Sequence, residues 1–409
     1  MKAGWEVKTL GEVCEVVNGG TPKTGVDEYW GNEHLWITPA EMGKRLSPYV
    51  DETERKITSQ GLKNSSARLL PPNSVILSSR APIGHLVVNT KPMATNQGCK
   101  GLVPSDELSY KYLFYFLMAN VDLLNDLGTG ATFKELSGGK LKEVKIPLAP
   151  STEQQRIVAI LEQAFEGIAK ARANAEQNLQ NARALFESHL QSVFSVRGEP
   201  VEPHHPSTSS GRTGWVEKDL GSISKINYGY TESASYEKVG PNFLRITDIQ
   251  DTGVNWETVP FCKINSEDLL KYLLETGDIV FARTGATTGK SYLVKNPPQA
   301  VFASYLIRVQ LKLSELLPEF LYLFFQTKAY WDEVNKGLSG SAQGGFNASK
   351  LANLIIPYPL SIEEQRTIIT ELDAIKKETQ RLEIIYQRKI ACLDELKKSL
   401  LQQAFAGEL

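Results

Sequence analysis

The segment "GWEVKTLGEVCEVVNGG" at Gly4–Gly20 returns as "GWVEKDLGSISKINYGY" at Gly214–Tyr230. Trp5 falls over Trp215, Leu10 over Leu220 and Gly11 over Gly221, an offset of 210 residues. The same offset recurs far downstream, where "KLKEVKIPLAPSTEQQRIVAIL" from Lys140 answers "KLANLIIPYPLSIEEQRTIITEL" from Lys350. It pairs Pro147 with Pro357, Ser151 with Ser361, Gln155 with Gln365 and Arg156 with Arg366. Between these anchors the match decays. "LWITPAEM" from Leu35 resembles "LRITDIQD" from Leu244, and "SVILSSRAPIGHLVV" from Ser74 resembles "DIVFARTGATTGKSYLV" from Asp278. A chain that repeats itself once, end to end, folds as two versions of one unit of roughly 200 residues.

Each unit has two parts. The first alternates short apolar runs with Gly, Pro and Asn breaks. "SVILSS", "HLVVNT", "EVKIPL", "DIVFAR", "SYLVK" and "YLIRVQL" predict strands, while "YKYLFYFLMANV" and "PEFLYLFFQTKAYWDEV" each predict one helix. The result is an α/β (α+β) head. The second part opens with a capping-box spacing, Ser151 with Gln154 and Ser361 with Glu364. Apolar residues then step by four and three. They run from Ile157 through Leu161, Ala175 and Ala182 to Val193, and from Ile368 through Leu372, Thr379 and Leu393 to Leu400. A period near 3.5 without proline predicts a coiled coil of about 43 residues per helix, roughly 65 Å long. Ordinary globular helices average about 11–12 residues.

The order head, rod, head, rod constrains the pairing. If the rods pair with each other, they run antiparallel, related by a pseudo-two-fold. The predicted boundaries are a head over 1–150, a long helix over 151–198, a linker over 199–213, a second head over 214–360 and a second long helix over 361–409. Two similar heads on a fixed spacer suit a duplex with its own dyads; a scaffold clamping two copies of a protein would use the same geometry.

Composition excludes more than it assigns. The net charge of −2 gives no basic coat, so any nucleic-acid contact is confined to one face or shared with a partner. No run has the length of a membrane span and "MKAGWEVKTLGEV" has no apolar signal core, which predicts a cytoplasmic protein. The four cysteines are scattered, and His204-His205 sits in a polar linker, so no metal site is expected. "FARTGATTGKS" at Phe281–Ser291 approaches a phosphate-binding loop, but Gly285 and Gly289 are one residue too close. The following "SYLVKNPPQ" also reads as a strand rather than the required helix.

With the duplicated heads, the "EQQRI" and "EEQRT" helix openings, the "GWEVKTLGEV" and "GWVEKDLGSI" starts and the "KIPLAP" and "IPYPLS" junctions, the whole chain resembles the specificity subunit of type I restriction–modification enzymes. The resemblance implies two target recognition domains, each reading half of a bipartite double-stranded DNA site. It implies helices that set the spacer and dock two modification subunits. Those partners carry S-adenosylmethionine, and a restriction subunit brings ATP and Mg. The chain itself is then expected to bind no cofactor and to catalyse nothing. "NPPQ" at Asn296–Gln299 lacks the aromatic that an adenine methyltransferase motif needs.

If the heads read different half-sites, base readers sit where the copies diverge, because phosphate contacts position while base-edge contacts specify. The candidates in the first head are Lys23, Lys44, Arg45, Lys63, Arg68 and Arg80. In the second they are Tyr228, Tyr230, Lys238, Arg245, Arg283 and Lys290. Arg80 and Arg283 are matched as a shared contact, and His85 stands in place of Lys290. Gln155, Arg156, Gln365 and Arg366 are candidates for the partner-binding face of the helices.

Overall fold

The computed structural model describes residues 2–80, 82–130, 134–195, 214–250, 253–285, 287–339 and 346–409. The expected linker 199–213, with His204 and His205, lies outside the described residues. The chain divides into two compact units, Met1–Glu176 with Gln387–Leu409, and Gln177–Tyr386. Each therefore holds one head and half of each long helix.

In the first unit a five-stranded sheet has the order Cys14–Asn18, Cys99–Pro104, Val75–Ser79, Ile83–Asn89, Tyr49–Val50. Its Val/Ile/Leu-rich strands are buried on both faces. Leu77 and Leu102 join the core under the helix Tyr110–Ala119, while Ile76 and Val87 face a second core around Ile37 and Met93. Beside it, Trp30–Ile37 runs parallel to Met93–Thr95. The second unit repeats the plan with four strands, Ser224–Tyr228, Leu306–Leu311, Ile279–Ala282 and Ser291–Leu293, and a parallel pair Asn242–Leu244 with Ala300–Phe302. In both, the strand after the opening Trp closes on the strand before the long helix, Glu6–Thr9 on Lys145–Leu148 and Trp215–Asp219 on Ile355–Pro359. The six predicted strands are present. The second aromatic block is two helices rather than one, Pro318–Phe324 and Lys328–Ser339. The break is at Thr327, whose hydroxyl donates to the Phe324 carbonyl and accepts from Tyr330 N.

The long helices are Ser151–Ser195 and Ile362–Ala406, 45 residues each. Within the first unit Arg172 pairs with Asp394, and Lys397 lies 5.0 Å over the Phe165 ring. Within the second, Arg183 pairs with Glu383 at 3.5 Å, and Lys376 lies over Phe186 at 5.7 Å. Each advance on the first helix meets a retreat on the second, so the halves in each unit are antiparallel. Ala175 and Ala182 are buried, and so is Thr379, where small side chains bring backbones together. At the end of the second stripe Leu401 is buried, and Leu400 is partly buried against the same core.

The head–helix joint overturns one sequence pairing. Gln154, not Gln155, is buried; its Oε1 accepts from Ser109 N, and its Nε2 donates to the Glu107 and Ala149 carbonyls. Gln365 makes the same set, accepting from Leu317 N and donating to the Glu315 and Pro359 carbonyls. The strands keep the offset of 210, since Pro147 and Pro357 oppose Val7 and Glu217. The helices match at 211, because the second copy has one extra residue in the turn between strand and helix. The capping boxes change accordingly. Ser361 Oγ accepts from Glu364 N, but the Glu364 carboxylate takes the Trp215 indole N–H instead, and Gln154 faces its own head.

Candidate nucleic-acid interface

One end of each main sheet gathers segments that the two copies build alike but fill with different side chains. In the first unit these are Asn18–Gly20, Ser79–Arg80, Asn96–Lys100 and Glu135. In the second they are Tyr228–Tyr230, Arg283–Thr284, Ala303–Ile307 and Phe346. The backbone under both is the same. Ser79 N donates to the Gly98 carbonyl and Leu136 N to the Ser79 carbonyl; Arg283 N donates to Tyr305 and Phe346 N to Arg283. Gly19 and Gly229 hold this end closed. A Cβ would lie 1.9 Å from the Asn96 carbonyl oxygen in one and 2.2 Å from that of Ala303 in the other. A common frame thus displays different side chains.

That frame corrects the matching of the two arginines. Leu77 opposes Lys100 and Phe281 opposes Ile307, while Ser78 opposes Cys99 and Ala282 opposes Leu306. Arg283 therefore occupies the place of Ser79, and Arg80 the place of Thr284. One residue along a strand reverses the face, so the two arginines are not a shared contact. Arg283 stacks 4.8 Å over the half-exposed Tyr228 ring and donates to the Ser304 carbonyl at 3.4 Å. The Tyr228 hydroxyl accepts from Ala348 N at 3.1 Å. Tyr230 packs on Tyr272, and burial raises its hydroxyl above the ordinary range. Arg80 faces Glu135 at 3.9 Å.

The remaining candidates fall outside this cluster. The match of His85 with Lys290 holds: His85 touches Gly43, and Lys290 donates to the Ile249 carbonyl at 3.4 Å, at equivalent turns. Arg45 is held by Glu41 and the Glu52 carbonyl, and Arg245 grips Asp248 through Nε at 3.0 Å and Nη2 at 2.8 Å. Arg245 thus has both sides of its fork on Asp248, whereas Arg45 is held through Nη2 alone and its Nε has no partner. Lys23, Lys44, Lys63, Arg68 and Lys238 are exposed; Lys44 pairs with Glu54 and Arg68 with Glu15. On the helices Gln155 and Arg366 are exposed, Arg156 binds Glu153 and the Leu409 carbonyl, and Gln365 is buried in its own joint.

Sequence reading missed Lys100, Tyr305 and Gln154. Tyr305 is 63% exposed at the sheet end of the second unit. The shared motifs drew attention away from it, since it lies between them. A groove of about 560 Å³ in the second unit is lined by Lys290, Lys295, Lys376 and Trp331. Its counterpart of about 320 Å³ in the first is lined by Leu46, Phe114, Met118, Phe165 and Lys397. The Phe281–Ser291 segment is an antiparallel hairpin, with Phe281 opposite Ser291, rather than a strand running into a helix. Among the described residues no group of three or more His, Cys, Asp or Glu is placed to hold a metal, and no helix is long and apolar enough to cross a membrane.

Comparison with known proteins agrees with the duplicated plan. The chain is 26% identical over 412 residues to the type I restriction enzyme MjaIX specificity subunit of Methanocaldococcus jannaschii, covering 99% of this chain and 93% of that one. It is 35% identical over 164 residues to the EcoR124I/EcoR124II specificity subunit of Escherichia coli, 38% of this chain and 40% of that one. Among solved structures, the HsdS subunit from Thermoanaerobacter tengcongensis superposes with a TM-score of 0.65 at 20% identity, over 100% of this chain and 98% of that chain. A chain from the type I R-M system, solved for its complex assembly and conformational transition, superposes with a TM-score of 0.76 at 20% identity, over 100% and 99%. Residues 2–177 and 212–387 each match the type I restriction modification DNA specificity domain, and the chain belongs to that family.

Proposed function

We propose that this chain is the DNA sequence-specificity subunit of a type I restriction–modification complex, each head reading one half of a bipartite target. The observation that carries this is one sheet end built twice on the same glycine and backbone bonds, bearing Asn18, Arg80 and Lys100 in one copy and Tyr228, Arg283 and Tyr305 in the other. A common frame with divergent side chains is what two different half-sites require. Arg283, Tyr228 and Arg80 are the readers kept from the sequence-level candidates. Lys23, Lys44, Lys63, Arg68, Tyr230, Lys238 and Lys290 are positioning contacts to the phosphates or the groove rim.

The antiparallel helices fix the separation of the half-sites and dock two modification subunits through exposed residues such as Gln155 and Arg366. S-adenosylmethionine belongs to those partners, and ATP and Mg to a restriction subunit where one joins. The chain performs no catalytic step of its own. Methylome sequencing of cells carrying the chain with its modification subunits reads the outcome directly, as a bipartite motif with a fixed spacer. Removing two turns from both long helices in register should shorten that spacer or abolish methylation. An unchanged motif would refute the spacer role, and a chain that only scaffolds proteins would give no DNA phenotype.

A further inference from the structure

The Cys99–Pro104 strand carries a cation where its counterpart carries core. Lys100 lies between Asn18 and Leu77 in the sheet of the first unit; Ile307 holds the same place between Tyr228 and Phe281 in the second. Ile307 is fully buried in a hydrophobic cluster, and the Lys100 side chain is only 7% exposed. An ammonium at a core position is costly unless it is closely paired. Here its ion-pair partner among the described residues is Glu135 at 3.9 Å, well beyond the ~2.8 Å of a charge-assisted hydrogen bond.

The same carboxylate, itself about half exposed, is also 3.9 Å from Arg80. Two cations thus share one distant anion, and neither makes a hydrogen bond among the described residues. Burial pulls the Lys100 ammonium below the ordinary lysine range, with Glu135 opposing it only in part. The neighbouring Ser79 hydroxyl is buried without a partner. For stability alone, the isoleucine of the sister copy is the better choice. A lysine buried along its stem, with its donors unused among the described residues at this end of the sheet, is arranged for a ligand that supplies acceptors.

We propose that Lys100 is a specificity-determining residue of the first head, presenting donors with Arg80 to the paired acceptors of a guanine base edge. Guanine offers O6 and N7 side by side in the major groove, the edge that lysine and arginine read best. Glu135 keeps the two cations from repelling each other until that edge arrives. The second head, with Ile307, cannot make this contact. The inference rests on the specificity-subunit reading above.

The test is methylome sequencing of cells carrying Lys100→Met with the modification subunits, beside wild type and Lys100→Ile. Both variants should relax one G·C position in one half of the motif and leave the other half and the spacer intact. In gel shifts with the purified complex, wild type should discriminate at that position by about 10- to 100-fold, and the variants by nearly none, with the same salt slope. Both variants should melt at or above the wild-type temperature. An unchanged motif overturns the proposal. So does a uniform loss over all sequences with a shallower salt slope, which marks a phosphate contact. Lower melting or failure to fold in both variants marks a structural lysine and overturns it too. A wild-type chain that yields no bipartite motif defeats the specificity-subunit reading instead.

Discussion

At the scale of single residues, the fold depends on atoms that are absent. Gly229 leaves room for the carbonyls of Phe302 and Ala303, which a Cβ would approach to 2.4 and 2.2 Å. Gly229→Ala is expected to destabilise by about 1–3 kcal/mol through forced backbone movement, read by chemical denaturation. Glu153 carries a pH-dependent contact. Hydrogen bonds from Arg156 and Lys2 hold its carboxyl at about 2, down from an ordinary 4.5. Because the folded value is depressed, the stabilisation is complete above the ordinary 4.5 and fades as pH falls toward about 2. Melting temperatures of wild type and Glu153→Gln should therefore converge across that window and stay apart above it. Such residues are only partly legible in sequence. The repeat marks Gly19 and Gly229 as shared, but Lys100 and Ser79 look unremarkable until the ladder places them.

At the scale of elements, the joints between heads and long helices are tied by two glutamines. Gln154 and Gln365 each satisfy one backbone donor and two carbonyls near the helix start. Gln365→Ala is expected to cost about 2–4 kcal/mol, since buried backbone groups lose their partners. Hydrogen exchange should then show the first turns of the Ile362 helix opening ahead of the head. Gln155→Ala, at an exposed position, should leave stability within about 0.5 kcal/mol and serves as the control. The sequence put Gln154 in a capping box and matched Gln155 with Gln365. Helical phase assigns them, since Gln154 shares the inner face with Ile157, Val158 and Leu161. The capping-box spacing pointed to the helix starts and to the Ser361–Glu364 N bond, but not to the roles of the Glu364 carboxylate and Gln154.

At the scale of the whole molecule, the chain's near-neutral charge predicts its behaviour on DNA. Phosphate neutralisation dominates non-specific affinity, and a net charge of −2 supplies little. The isolated chain should bind its target weakly, and the complex with modification subunits tightly and with a steeper salt dependence. Titrations at several salt concentrations check this, and tight specific binding by the chain alone would count against a shared interface.

Duplication, the α/β heads, the two long helices and the family are legible in the residues alone, because periodicity and repeated motifs survive without coordinates. Register came from the fold. A strand alternates faces at every residue and a helix turns by a hundred degrees, so an error of one residue moves a side chain from solvent to core. That single residue separates Arg80 from the place of Arg283, and Gln154 from Gln155. It also reveals a lysine where the second head keeps an isoleucine.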